Sequence, residues 1–145
     1  SPRSGCAAVA LDEHHVMVIG GRTSSEHPLS TTEVLDVRTM AFAPGPSMVS
    51  ARFFCAAVPV DARHVLVIGG LDSSNTEFAT TELLDVANME FAPGPTMRTS
   101  RHSCAAARID TADEEPRILV FGGRRGRTDS STTEVLAAAF ADEGE

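Results

Sequence analysis

Short apolar runs alternate with polar and glycine-rich breaks along the whole chain. Val16-Met17-Val18-Ile19, Val65-Leu66-Val67-Ile68 and Ile118-Leu119-Val120-Phe121 each end on a glycine pair. Runs of this length, rich in β-branched residues and bounded by glycine, read as strands buried on both faces. Before each lies a run of small apolar residues: Cys6 to Ala10, Cys55 to Val60 and Cys104 to Ile109. Small side chains suit strands crowded around a central axis. A third strand is expected over Glu33 to Val37, Glu82 to Val86 and Glu134 to Ala138, and a short fourth over Ala41 to Ala43 and Glu90 to Ala92. Helices do not fit, because glycine pairs and Pro-Gly-Pro interrupt every 3.6-residue period.

These strands belong to a repeat. Cys6, Cys55 and Cys104 recur at a step of 49 residues, and Arg3, Arg52 and Arg101 keep the same step. Thr-Thr-Glu recurs at Thr31, Thr80 and Thr132, and Pro-Gly-Pro closes the first two copies at Pro44 and Pro93. The copies span 1–49, 50–98 and 99–141, the third with its fourth strand missing or degenerate, followed by an acidic tail over 142–145. Stacked units of this period share a continuous core. Four short strands per unit make the fold all-β, with four-stranded antiparallel propeller blades.

The pattern resembles kelch repeats. The resemblance rests on the glycine pair after an apolar strand, as in Val18-Ile19-Gly20-Gly21, and on Glu33-Val34-Leu35-Asp36 and Glu82-Leu83-Leu84-Asp85. Pro2-Arg3-Ser4-Gly5 is similar to the blade start of kelch substrate adaptors. Leu35, Leu84 and Leu136 stand at the family tyrosine, and Phe42 and Phe91 at its tryptophan; the chain holds no Tyr and no Trp. Smaller residues there imply a thinner joint between blades. Closed propellers carry roughly 4–8 blades, and the family commonly has six. Three repeats are half of that, so either two chains pair into a homodimeric six-bladed ring or the repeats continue in a longer chain. The start at Ser1, already inside a repeat, is expected of a segment or a processed product.

A hydrophobic content of 42% with 22% charged residues is globular. No apolar run reaches the roughly 18–20 residues that span a bilayer, so no membrane role is expected. Three cysteines at equivalent positions cannot easily meet at disulfide distance. They are expected to be small buried residues, in a reducing, cytoplasmic setting. All twelve cationic residues are arginine, whose planar fork matches carboxylates.

Strand order divides the charge between two faces. Loops from second to third strands, and from blade to blade, carry eight arginines (Arg3, Arg22, Arg52, Arg98, Arg101, Arg124, Arg125 and Arg127) against Glu26, Asp72, Glu77 and Asp129. The opposite loops carry ten acids against Arg38, Arg63 and Arg117, so a chain of net charge −8 presents one basic face. Such a face steers an acidic partner. In kelch adaptors that resemble this chain, arginines at the position of Arg3, Arg52 and Arg101 grip acidic peptide side chains. The competing role is bracing of the blades through Glu33, Glu82 or Glu134. As ligand contacts, their removal would weaken binding without lowering stability.

The loops 22–30, 71–79 and 124–131 diverge between copies, and divergent loops on a repeat scaffold carry recognition. Arg22, Arg124, Arg125, Arg127 and an exposed Phe78 are therefore candidate partner contacts beside the three repeated arginines. The longer stretch Ile109 to Pro116, four residues more than in the other copies, is expected to be a solvated loop.

No catalytic residue, metal site or cofactor is assigned. The copper oxidases of this architecture need a tyrosine, and no nucleophile motif such as Gly-x-Ser-x-Gly appears. His14 and His15 beside Asp12 and Glu13 read as surface residues of one turn. The inner strands offer only Arg108, against a sugar-binding or sugar-modifying enzyme, which is the alternative reading. Nucleic acid is disfavoured, because the basic loops lack aromatic stacking partners. The expectation is a protein-interaction module for an acidic or phosphorylated peptide.

Overall fold

A computed structural model of the chain describes residues 1–112 and 114–138. Blade 1 is an antiparallel sheet of β1 (Ala7–Ala10), β2 (His15–Ile19), β3 (Thr32–Asp36) and β4 (Ala41–Pro44), in that order. Blade 2 repeats it with β5 (Ala56–Pro59), β6 (His64–Ile68), β7 (Thr81–Asp85) and β8 (Glu90–Pro93). Blade 3 has β9 (Ala105–Thr111), β10 (Glu114–Phe121) and, beyond a separate hairpin of β11 (Arg124–Arg125) and β12 (Thr128–Asp129), β13 (Thr133–Ala137). The degenerate fourth strand and the acidic tail expected after Ala138 lie outside the described residues.

The expected strands form within a residue or two of their boundaries, with two departures. The stretch from Ile109 to Pro116 is no loop: β9 and β10 run on through it as a longer hairpin with a bulge between Glu114 and Arg117. The register of Thr111 with Glu114 lets backbone pairing continue past the length of the other blades. Nor are the second strands all buried on both faces. β6 is, in the middle blade, whereas β2 and β10 are closed only on the side that meets β6's blade.

Register explains the core. In blade 2, Val65, Leu84 and Phe91 lie in one row across the sheet, and Val58, Leu66 and Leu83 in the row facing the other way. The first row packs on Val9, Met17, Ile19 and Val34 of blade 1. The second packs on Ile118, Val120 and Leu136 of blade 3. Among the described residues ten apolar side chains of these joints, including Met17, Leu66, Ile68, Leu84 and Ile118, are fully buried, each worth about 1.5–3 kcal/mol. The middle blade is thus sandwiched, and the outer two each keep one face open.

Turns are set by short-range chemistry. Asp12 Oδ1 accepts from the backbone N–H of His14 and His15 at 2.7 and 2.9 Å, and Asp61 does the same for Arg63 and His64. The His14 amide bond is the main cause that holds the Asp12 carboxyl below its usual range. His15 Nδ1 then pairs with Asp12 at 2.9 Å, which ties the ring to the same turn. Among the described residues no group of three or more His, Cys, Asp or Glu stands close enough to hold a metal.

Candidate functional site

The bridges Ser4–Arg22, Phe53–Leu71 and His102–Arg124 tie each blade's entry to its own loop between second and third strands. They place the divergent loops and the blade entries on one face, as the strand order requires.

On that face the three repeated arginines point inward. Arg52 Nη1 donates to the carbonyls of Gly69 at 2.9 Å and Thr80 at 3.1 Å, while Nη2 donates to Thr80 Oγ1 and to Glu82 Oε2 at 2.9 Å. Glu82 in turn accepts from the N–H groups of Val49 and Ser50, the linker leaving blade 1. Arg101 repeats the set with Gly122, Thr132 and Glu134, and Glu134 accepts from Arg98 and Thr99 N–H. Arg3 does so with Gly20, Thr31 and Glu33. There the Ser1 nitrogen stands where the Ser50 and Thr99 amides do, beside the Ser1 hydroxyl and Arg3, all donating to the Glu33 carboxylate.

Arg52 and Arg101 are 1% and 0% exposed. The sequence allowed them to ring an open mouth; the structure gives them the bracing geometry instead. Every hydrogen-bonded guanidinium nitrogen is spent on the blade itself, and only the buried Nε atoms lack a partner. Phe78, expected to be exposed, is half-buried with the Arg52 guanidinium 4.3 Å from its ring centroid.

The basic face shrinks accordingly. Once the three braces are matched with Glu33, Glu82 and Glu134, five arginines remain on it against four acids. Arg22 pairs with Glu26 at 3.6 Å and Arg124 with Asp129 at 3.0 Å. Glu77 accepts from the Gly126 N–H of the neighbouring loop, which is the main reason its carboxyl sits below the usual range. Arg98, Arg125 and Arg127 are exposed and have no carboxylate within 4 Å among the described residues. Arg98 was counted on this face but not singled out by sequence. It ends a linker whose amide, not its side chain, is tied to Glu134.

The residue that sequence reading missed is Phe54. It is 36% exposed and its backbone is left-handed, φ 55°. The equivalent positions, Gly5 and Ser103, share the conformation at φ 63° and 53° but are small. A bulky residue at positive φ is an outlier that needs support from its surroundings. Support comes from Phe53 at 5.1 Å between ring centroids, from the Arg22 guanidinium 5.5 Å from the ring, and from His102 at 6.2 Å. Residues of all three blades thus meet around one exposed ring. Burial pushes the His102 imidazole below its usual range, opposed by Glu77 and helped by Arg124. The signal was present in the sequence: Phe53-Phe54 interrupts a motif that reads Ser4-Gly5 and His102-Ser103 in the other copies.

Other expected features separate by position. Cys55 is buried, and desolvation pushes its thiol up to about 12, but Cys104 is half-buried and Cys6 is exposed because no blade covers that side. Arg108, the inner-strand charge that the sequence offers to a sugar, is held by Asp110, on the same strand, and by the Val60 carbonyl.

Residues 2–49 match the family model of the Kelch motif. The second copy repeats that segment strand for strand, and the third repeats its first three strands, with a longer first hairpin and an added short one. No curated protein matches the chain.

Proposed function

We propose that this chain, whose first copy at residues 2–49 matches the Kelch motif and whose later copies resemble the first, is a protein-interaction module whose loop face receives an acidic or phosphorylated peptide. Kelch repeats serve in general as interaction modules rather than catalysts. The observation that carries the finer reading is the set of three exposed guanidiniums in the loops and linker of this face, Arg98, Arg125 and Arg127, with no carboxylate within 4 Å among the described residues; the same face carries the exposed ring of Phe54. A guanidinium fork takes a carboxylate or phosphate bidentately. An exposed aromatic with few rotatable bonds supplies apolar area at low entropic cost. The contact set is therefore Arg22, Phe54, Arg98, Arg124, Arg125 and Arg127, with Arg52, Arg101 and Phe78 beneath it as support.

An array of acidic, phosphorylated and neutral peptides, probed at two salt concentrations, tests this. Preference for acidic or phosphorylated sequences that weakens with salt supports the reading. Indifference to charge, or preference for basic peptides, overturns it.

A further inference from the structure

The two joints between blades are copies of each other. At the first, the blade 1 face bearing Val9, Met17, Ile19 and Val34 meets the blade 2 face bearing Val65, Val67, Leu84 and Phe91. At the second, the equivalent residues of blade 2 meet the equivalent residues of blade 3. The joint is heterologous, so a chain of such units keeps one half-joint free at each end.

Both free halves are visible. On blade 1, Phe42 is 57% and Met40 69% exposed, where their counterparts Phe91 and Met89 are packed into the first joint. On blade 3, Phe121 is 40% and Val135 56% exposed, where Ile19 and Ile68 at the position of Phe121 are fully buried. Each open face is the shape of surface that the other already meets inside the molecule.

The backbone is incomplete in the same places. Gly21 and Gly70 donate their N–H to the carbonyls of Arg52 and Arg101 in the next blade, at 2.9 and 3.0 Å. The Gly123 N–H has no such acceptor among the described residues. Phe54 and Ser103 donate to the carbonyls of Gly5 and Phe54 in the preceding blade, at 2.7 and 2.8 Å, whereas the Gly5 N–H has no acceptor among the described residues. Arg52 and Arg101 donate their N–H to the carbonyls of Leu29 and Phe78, and among the described residues no N–H plays that part for Ser130, which stands at the position of Leu29 and Phe78 in blade 3.

We propose that a second copy of this chain supplies the missing halves, its blade 1 seated on blade 3 of the first and the reverse, closing a six-bladed ring. In it the Gly123 N–H donates to the Arg3 carbonyl of the second copy. The Gly5 N–H of that copy donates to the Ser103 carbonyl, and its Arg3 N–H to the Ser130 carbonyl. Two copies contribute three blades each. Closed propellers carry roughly 4–8 blades, and among multiples of three only six falls in that range. Closure also buries Phe42, Met40, Phe121 and Val135, which a soluble monomer leaves in water.

Light scattering over a concentration series is the test. The expected mass is about twice 15.3 kDa, with no larger species. Phe42→Glu and Val135→Arg should each reduce it to the single-chain mass, because either change spoils both joints of a two-fold pair. Far-UV circular dichroism of both variants should stay at the wild-type level. Mixed in equal amounts, the two variants should recover the paired mass: one joint is then wild type, and the other sets the new carboxylate against the new guanidinium, as Phe91 and Val34 share one cluster inside the molecule. A wild-type chain that stays single, one that grows past two copies, or a mixture that fails to pair overturns the proposal. The first of these results assigns the open faces to further blades or another protein.

Discussion

Removing the guanidinium of Arg52 is expected to damage stability. Arg52 is 1% exposed and joins two carbonyls, the Thr80 hydroxyl and Glu82, itself 4% exposed. Arg52→Ala leaves Glu82 as a buried charge held only by the Val49 and Ser50 amides. Breaking a buried pair from one side costs about 3–5 kcal/mol, and a chain of this length loses about 2–4 °C per kcal/mol. The melting temperature should therefore fall by roughly 6–20 °C, measured by circular dichroism at one fixed protein concentration because the proposed pairing would add a concentration-dependent contribution. Arg101→Ala should match it. Arg3→Ala should cost less, since its partner Glu33 is 21% exposed and water takes over part of the lost interaction. A cycle with Glu82→Ala should show a coupling of about 0.5–3 kcal/mol between the two sites. A melting point unchanged by Arg52→Ala, with additive single effects, would refute the bracing role and return Arg52 to the ligand contacts.

Three further outcomes follow from the geometry. Gly69→Ala should destabilise more than Gly122→Ala in urea unfolding: both have positive φ, but a Cβ at Gly69 falls 2.3 Å from the Arg101 carbonyl and one at Gly122 3.3 Å from that of Ser130. Asp85 is held down to about 2, chiefly by the Arg63 side chain, so its folded pKa lies below the unfolded one; the stability it contributes is present above about pH 4 and is lost as pH falls toward 2, which acid titration of the melting temperature reads. Thiol titration of the folded chain should leave Cys55 unreactive until denaturant is added, and if the proposed pair forms, dilution that splits it should raise the labelling rate of Cys6, whose position in blade 2 is covered by the preceding blade.

The blades were legible because their causes are local. Alternation and glycine pairs set the strands from His15–Ile19 to Thr133–Ala137, and the 49-residue step set their grouping. The fate of Arg52 was not, since an arginine before an inner strand can turn to the channel or to its own blade. What decides is where Glu82 and two loop carbonyls fall in three dimensions. Repetition carried the clue, because a residue needed by every joint recurs in every copy, as do Gly20, Gly69 and Thr32. Phe54 shows the converse. It breaks the repeat at a backbone position that suits glycine, and only the φ angle reveals the strain it tolerates there. The extra four residues before Pro116 were polar enough to read as a loop, yet hairpin pairing across Thr111 and Glu114 overrides composition.

The central claim is that recurring residues hold the blades while divergent loop residues meet the partner. A crossed measurement tests it most directly: melting temperature and affinity for one array-selected acidic peptide, compared between Arg52→Ala and the double change Arg125→Ala with Arg127→Ala, the binding measured well below both melting points. Arg52→Ala should melt early and still bind; the loop variant should melt as wild type and lose most of its affinity. The reverse sorting, with affinity following Arg52 and stability following the loop arginines, would contradict the claim.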